Sequence, residues 1–248
     1  MRQLGDDAVV IREIGSGVAV SAGPGWPFSK VAGLGFEPIE ASELDSVESM
    51  YAERATPVRV ELPSLANPEI GAALTRRGYV LEGFENVLGL SLPSEAAAVG
   101  GVVVTRIEEH ESANWLDVLG RSFSQPDVYE GSSVEEPVDR AALQAIFEQI
   151  GGTTGFVRYM GRREAEVVGA AGMRMAEGVA QLCGAATLPE HRRRGVQTAL
   201  LRFRIADAAR AGCDIAVVTT QPGSVSQQNA QRQGFEMLYT RAVLVRRI

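Results

Sequence analysis

The sequence predicts a mixed α/β protein built of two units, on three observations. Short apolar runs that alternate with period two recur between amphipathic helical stretches, a small-residue segment interrupts the chain near residue 97, and the order of elements before the interruption returns after it. The first part reads as strands over about 8–14, 17–22 and 29–35, a helix over 42–55, a strand over 58–62, a helix over 68–77 and paired strands over 79–92. The stretch Pro93-Ser-Glu-Ala-Ala-Ala-Val-Gly-Gly101 is flexible in composition and reads as a linker over 93–101, which leaves domains over 1–92 and 102–248. Beyond it come a strand over 102–107, helices over 109–122 and 138–150, and strands over 154–160, 166–175 and 179–188. A helix over 195–211, a strand over 215–220, a helix over 224–233 and a final pair of strands over 235–247 complete the chain.

A shift of 156 residues superimposes the two halves without gaps. It lays Arg76-Arg-Gly-Tyr79 on Arg232-Gln-Gly-Phe235, Val87-Leu88 on Val243-Leu244, and Arg54 on Arg210. Few identities match, but helix, strand, helix and strands recur in the same order, the signature of a long internal repeat.

Composition narrows the function. The 248 residues are 45% hydrophobic and 22% charged with a formal net charge of −7, the profile of an ordinary globular chain and not of a polyanion binder. The charge is uneven: residues 192–248 hold ten Arg against three acids, so an anionic ligand is expected at the C-terminal end. Two Cys thirty residues apart and two His give no metal-ligand spacing, so no metal is expected. Met1 to Val10 lacks the apolar core of a leader and no apolar run reaches the ~20 residues of a membrane helix, so a cytoplasmic protein is expected.

The segment Ala185-Ala-Thr-Leu-Pro-Glu-His-Arg-Arg-Arg-Gly-Val-Gln-Thr-Ala-Leu-Leu201 carries the chemistry. A small-residue strand enters a loop of three Arg and a Gly, then an amphipathic helix with Val196, Ala199, Leu200, Phe203 and Ala206 on its apolar positions. The free N–H groups of a first helical turn, the positive end of the helix dipole and a glycine without a side chain together suit a phosphate. Arg192, Arg193 and Arg194 add charged donors.

This segment resembles the acyl-CoA-binding signature of the GNAT N-acetyltransferases, Gln/Arg-x-x-Gly-x-Gly/Ala. Arg192 and Gly195 match it, whereas Gln197 replaces the small third residue. The similarity extends over about 102–248 and includes Asn229-Ala-Gln-Arg-Gln-Gly234-Phe235, which is similar to that family's last helix and Gly-Phe turn. The resemblance implies a mostly antiparallel central sheet flanked by helices, the first unit being a partial copy. It further implies acetyl-CoA as cosubstrate, held by Ala186, Thr187, Leu188, Arg192, Arg193, Arg194, Gly195, Val196, Gln197, Thr198, Ser226 and Asn229. The strand over 179–188 is expected to splay from that over 215–221, leaving room beside Gly184, Ala185 and Ala186 for the pantetheine arm and strand N–H groups for an oxyanion. The reaction implied is direct acetyl transfer to a primary amine of a small molecule or peptide.

Catalytic side chains stay unassigned. The Tyr that many family members carry four residues before the Gly-Phe turn is Ala230 here, and Gln181 stands where a strand carboxylate would act. Glu177 and Cys183 are alternatives as base, and Tyr239 or Tyr129 as acid. A non-catalytic acyl-CoA-binding or regulatory protein is the rival reading. The acidic segment 123–137, with Asp127, Glu130, Glu135 and Glu136, suits a cationic amine. No nucleic-acid partner is expected, because the Arg residues are not interleaved with aromatics, and no membrane; a homodimer is compatible with the reading. In the first unit the 156-residue shift puts Glu37, Pro38 and Ile39 under Arg193, Arg194 and Gly195, so that copy is not expected to bind CoA.

Overall fold

The computed structural model describes residues 9–23, 26, 28–93, 100–125, 146–148 and 150–247. The chain forms two compact units: residues 1–87 together with 237–248, and residues 88–236.

The first unit contains β1 (Val10–Ile14), β2 (Gly17–Ser21), β3 (Lys30–Ala32), α1 (Ala41–Ala52), β4 (Val58–Pro63), α2 (Pro68–Arg76) and the first part of β5 (Val80–Ser91). Its sheet runs β1-β2-β3-β4-β11-β5, where β11 (Glu236–Arg246) is the last strand of the chain. β11 pairs antiparallel with β4, Leu244 opposite Val60 and Arg241 opposite Pro63. Arg241 reaches Glu61 and Glu85, each at 2.7 Å, and Lys30 meets Glu61 at 2.7 Å, so a carboxylate only 5% exposed is neutralised twice. The core gathers Val31, Leu44, Val47, Tyr51, Val58, Val60, Ile70, Leu74 and Leu244. α2 begins as its sequence dictates, with Pro68 in the first turn and the Asn67 side chain accepting from the Glu69 N–H at 3.0 Å.

The second unit contains the end of β5, β6 (Val103–Arg106), α3 (Ser112–Phe123), helical residues 146–148, β7 (Phe156–Arg163), β8 (Glu166–Ala176) and β9 (Val179–Thr187). There follow α4 (Val196–Arg210), β10 (Ile215–Thr220) and α5 (Val225–Gln231). Its sheet runs β5-β10-β9-β8-β7-β6, antiparallel from β9 to β6 and parallel between β10 and β9. Both faces are covered. One core holds Tyr159, Val168, Met173, Leu182, Val196, Leu200 and Ile205 beneath α4; the other holds Trp115, Leu119, Phe147, Met160, Ala170, Ala186 and Leu188 beneath α3. Trp115 is fully buried, donates from Nε1 to the Ala171 carbonyl at 2.9 Å and meets Phe147 edge-on.

The repeat expected from sequence is present in the elements. Shifting by 156 lays α1 on 197–208 within α4, β4 on 214–219, α2 on 224–232 and β5 on 236–247, each within two residues of its counterpart. Two expectations change. The paired strands expected over 79–92 and over 235–247 are each one continuous strand, β5 and β11, because neither run holds a two-residue turn that could fold it back on itself. The helix expected over 138–150 lies outside the described residues up to 145. Among the described residues, no helix is long and apolar enough to cross a membrane, and no group of three or more His, Cys, Asp or Glu is placed to hold a metal.

Candidate functional site

The site forms where β9 leaves its neighbour. Parallel pairing with β10 runs from Val179–Ile215 to Leu182–Val218, while β9 continues to Thr187 and β10 to Thr220. On the other side, the register with β8 slips: Gly172 faces Cys183, but Ala170 faces Ala186, so Gly184 and Ala185 together oppose Ala171. This is a β-bulge with Gly184 in the left-handed region, at φ +55°. A Cβ there would stand 2.6 Å from the Phe147 ring, so both the backbone angle and the space require glycine. The expected divergence of the two strands thus coincides with a bulge that the sequence reading did not anticipate.

From Thr187 the chain passes through a 3-10 turn (Pro189–His191) into the arginine loop. Gly195 caps α4 at φ +79°, ψ 0°, and no side chain caps that end of the helix. Arg193 is held at φ +60°, a conformation that costs a non-glycine residue about 1 kcal/mol. Arg193 and Arg194 are exposed, whereas Gln197 and Thr198 are half-buried. Arg192 is turned differently: its Nη2 donates to the carbonyls of Ser122 at 3.2 Å and Gln125 at 2.5 Å, at the C-terminal end of α3. Ala186, Leu188 and Val196 are buried in the cores, so only their backbones are offered to a ligand. On α5, Ser226 is exposed, and the Asn229 side-chain oxygen accepts from Arg232 at 3.1 Å. The C-terminal excess of cations is spread over several sites. Arg241 and Arg246 pair with acids of the first unit and Arg210 with Asp207, leaving Arg193 and Arg194 exposed on the loop.

The corresponding end of the first unit holds its own anion. The Glu43 carboxylate accepts from the Gly15 N–H at 3.0 Å and the Glu40 N–H at 2.8 Å, and these bonds hold its pKa below the ordinary value. A carboxylate at this helix start would repel a phosphate there.

Of the two candidate bases, Cys183 adjoins the bulge and Glu177 does not. Glu177 lies in the turn that precedes β9, at the end of the strand opposite the loop. Burial pushes the Cys183 thiol up to about 11, which keeps it protonated. Tyr239 belongs to β11 in the first unit, Tyr129 lies outside the described residues, and Ala230 is buried in the α4-side core. The acidic segment is described only at Phe123–Gln125. Among the described residues a pocket of about 610 Å³ opens, lined by Glu109, Ser112, Asp117, Phe147, Glu148 and Arg158. Arg158 is paired with Glu109 at 2.9 Å, and its guanidinium lies over the Trp115 ring. Sequence reasoning missed this pocket because its residues come from three separate stretches of the chain.

Comparison with known proteins follows the same outline. Residues 120–235 match the model of the acetyltransferase (GNAT) family. No curated protein matches the sequence. Among solved structures, a GCN5-related N-acetyltransferase from Kribbella flavida superimposes with TM-score 0.70 at 19% identity, covering 96% of this chain and 89% of its own. A tandem GNAT protein from the clavulanic acid biosynthesis pathway gives 0.65 at 10%, covering 98% and 85%. A GCN5-related N-acetyltransferase from Sphaerobacter thermophilus gives 0.63 at 11%, covering 94% and 80%. The superpositions give the chain the GNAT fold, and within it residues 120–235, which hold the bulged β9 and the glycine-capped α4, match the acetyltransferase (GNAT) family.

Proposed function

We propose that the second unit binds acetyl-CoA and transfers its acetyl group directly to a primary amine of a small molecule or peptide. One observation carries the reading: the uncapped N-terminus of α4, opened by Gly195, stands at the end of the strand that has parted from β10. The backbone N–H groups of Gly195 to Thr198 receive the pyrophosphate, with Arg193 and Arg194 adding positive charge. The pantetheine arm runs beside the unpaired edge of β9 at Gly184 to Thr187, with Ser226 and Asn229 of α5 as further hydrogen-bonding partners. The small residues of β9 support this fit.

In the reaction the neutral amine nitrogen attacks the thioester carbon, the carbon–sulfur bond breaks, and the amide forms as CoA thiolate leaves. The amine loses one proton and the thiolate gains one. No side chain near the bulge is assigned to carry either proton, and a strand N–H meets the negative charge on the carbonyl oxygen. The carboxylates of Glu109, Asp117 and Glu148 favour a cationic acceptor.

A second reading, an acyl-CoA-binding protein without turnover, is favoured by Ala230 lying buried where many relatives carry a Tyr. Acetyl-CoA presented with a panel of polyamines, amino acids, aminoglycosides and peptides separates the two. Release of free thiol with one class of amine supports the enzyme. Tight acetyl-CoA binding with no thiol release across the panel supports the binding protein.

A further inference from the structure

Arg204 lies in the middle of α4, is only 2% exposed, and has no carboxylate partner among the described residues. The acid one turn on, Asp207, is engaged by Tyr159 Oη at 2.6 Å, Arg106 at 2.7 Å and Arg210 at 3.2 Å. Arg204 bonds backbone instead: Nε donates to the Leu200 carbonyl at 3.1 Å, and Nη1 to the carbonyls of Gly172 at 2.9 Å and Cys183 at 3.4 Å. Burial draws its pKa down to about 10, which still leaves it charged at neutral pH.

Such a group is expensive. A buried cation without a counter-ion costs several kcal/mol in desolvation, and an apolar side chain of similar length would pack against the same cluster without that cost. Its placement gives a reason to keep it. Gly172 and Cys183 are the last matched pair of β8 and β9 before the bulge, and the next residue is Gly184. The peptide linking Cys183 to Gly184 is planar and trans, so its C=O and N–H point in opposite directions. With the Cys183 oxygen held by Arg204 beside the Gly172 carbonyl, the Gly184 N–H is directed away from the guanidinium, on the stretch of β9 where pairing with β10 has ended. A cation bonded to the oxygen of a peptide also polarises its N–H, making it a stronger donor.

We propose that Arg204 is a positioning residue for acyl transfer: its buried guanidinium pins the β9 bulge through the Gly172 and Cys183 carbonyls and presents the Gly184 N–H, strengthened as a donor, to the thioester carbonyl. This rests on the acetyltransferase reading of the site. Arg204 touches neither substrate, and it acts through one peptide group.

The test uses the full chain and two variants. Arg204→Met removes charge and donors while keeping length, and Arg204→Lys keeps the charge but loses the fork. In ligand-free protein labelled with nitrogen-15, the Gly184 amide proton resonance moves upfield in Arg204→Met and part-way in Arg204→Lys. With acetyl-CoA carrying carbon-13 at the thioester carbonyl, the infrared band of the bound carbonyl moves toward its free-solution frequency in Arg204→Met. Acetyl-CoA affinity changes less than about threefold, and with an accepted amine kcat falls about tenfold while KM for acetyl-CoA holds. A folded Arg204→Met protein with an unmoved Gly184 resonance and an unmoved carbonyl band overturns the proposal. If Arg204→Met does not fold, Arg204→Lys decides on the same two signals. Failure of the wild type to bind acetyl-CoA contradicts the acetyltransferase reading instead, and the Gly184 resonance still reports on Arg204 alone.

Discussion

The Arg192 guanidinium donates to the Gln125 carbonyl at 2.5 Å, which makes the first arginine of the loop a brace between the turn that opens α4 and the end of α3. A second bond to the Ser122 carbonyl fixes the same nitrogen. The neighbours Arg193 and Arg194 are exposed and make no such tie among the described residues, so consecutive arginines divide the work between positioning and charge.

Arg192→Ala should therefore loosen the loop and weaken acetyl-CoA binding about fivefold, the worth of roughly 1 kcal/mol of partly exposed hydrogen bonds. The double change Arg193→Ala and Arg194→Ala should weaken binding by a factor that shrinks as salt rises from 50 to 500 mM, because exposed charges act through a screened field. Isothermal titration at both salt concentrations distinguishes the two. Equal salt dependence for both variants would contradict the division.

The core beneath α3 depends on Trp115. Trp115→Phe removes the bond to the Ala171 carbonyl and leaves space beside Phe147 and Phe156, and should lower stability by about 2 kcal/mol. A fall of about 5 °C in Tm by calorimetry is the expected reading.

Much of this arrangement was legible in the sequence, and the exceptions have physical causes. The segment from Gly184 to Leu201 is contiguous, so strand, loop, Gly195 and helix could be read in order. The pairing of β11 with β4 joins residues nearly two hundred apart, and a strand pattern names no partner. The bulge depends on register, which one strand does not encode. Arg204 left a signal that went unread: it follows Leu200 by four and Val196 by eight, on the apolar stripe of α4, where a charge is out of place.

Acid should unfold the first unit in a defined window. Burial opposes ionisation of Glu48, but hydrogen bonds from Arg77, at 2.8 Å, and from Arg246 outweigh it and hold the carboxyl below its ordinary value. A carboxyl lowered on folding contributes stability that is present above the unfolded value, about pH 4.3, and is lost as pH falls through the folded one. Urea midpoints between pH 6 and 3 should fall less steeply in Glu48→Gln than in wild type. Parallel curves would contradict this role.

Thermal unfolding of the full chain with and without acetyl-CoA addresses the proposed site at its root. A ligand that binds only the folded protein stabilises it by about 2.7 kcal/mol at a hundred times its Kd, and the wild type should show a Tm rise that grows with acetyl-CoA concentration. Gly195→Glu, which puts a carboxylate and a strained backbone at the start of α4, should abolish that rise. A wild-type Tm that does not move at millimolar acetyl-CoA would contradict the site.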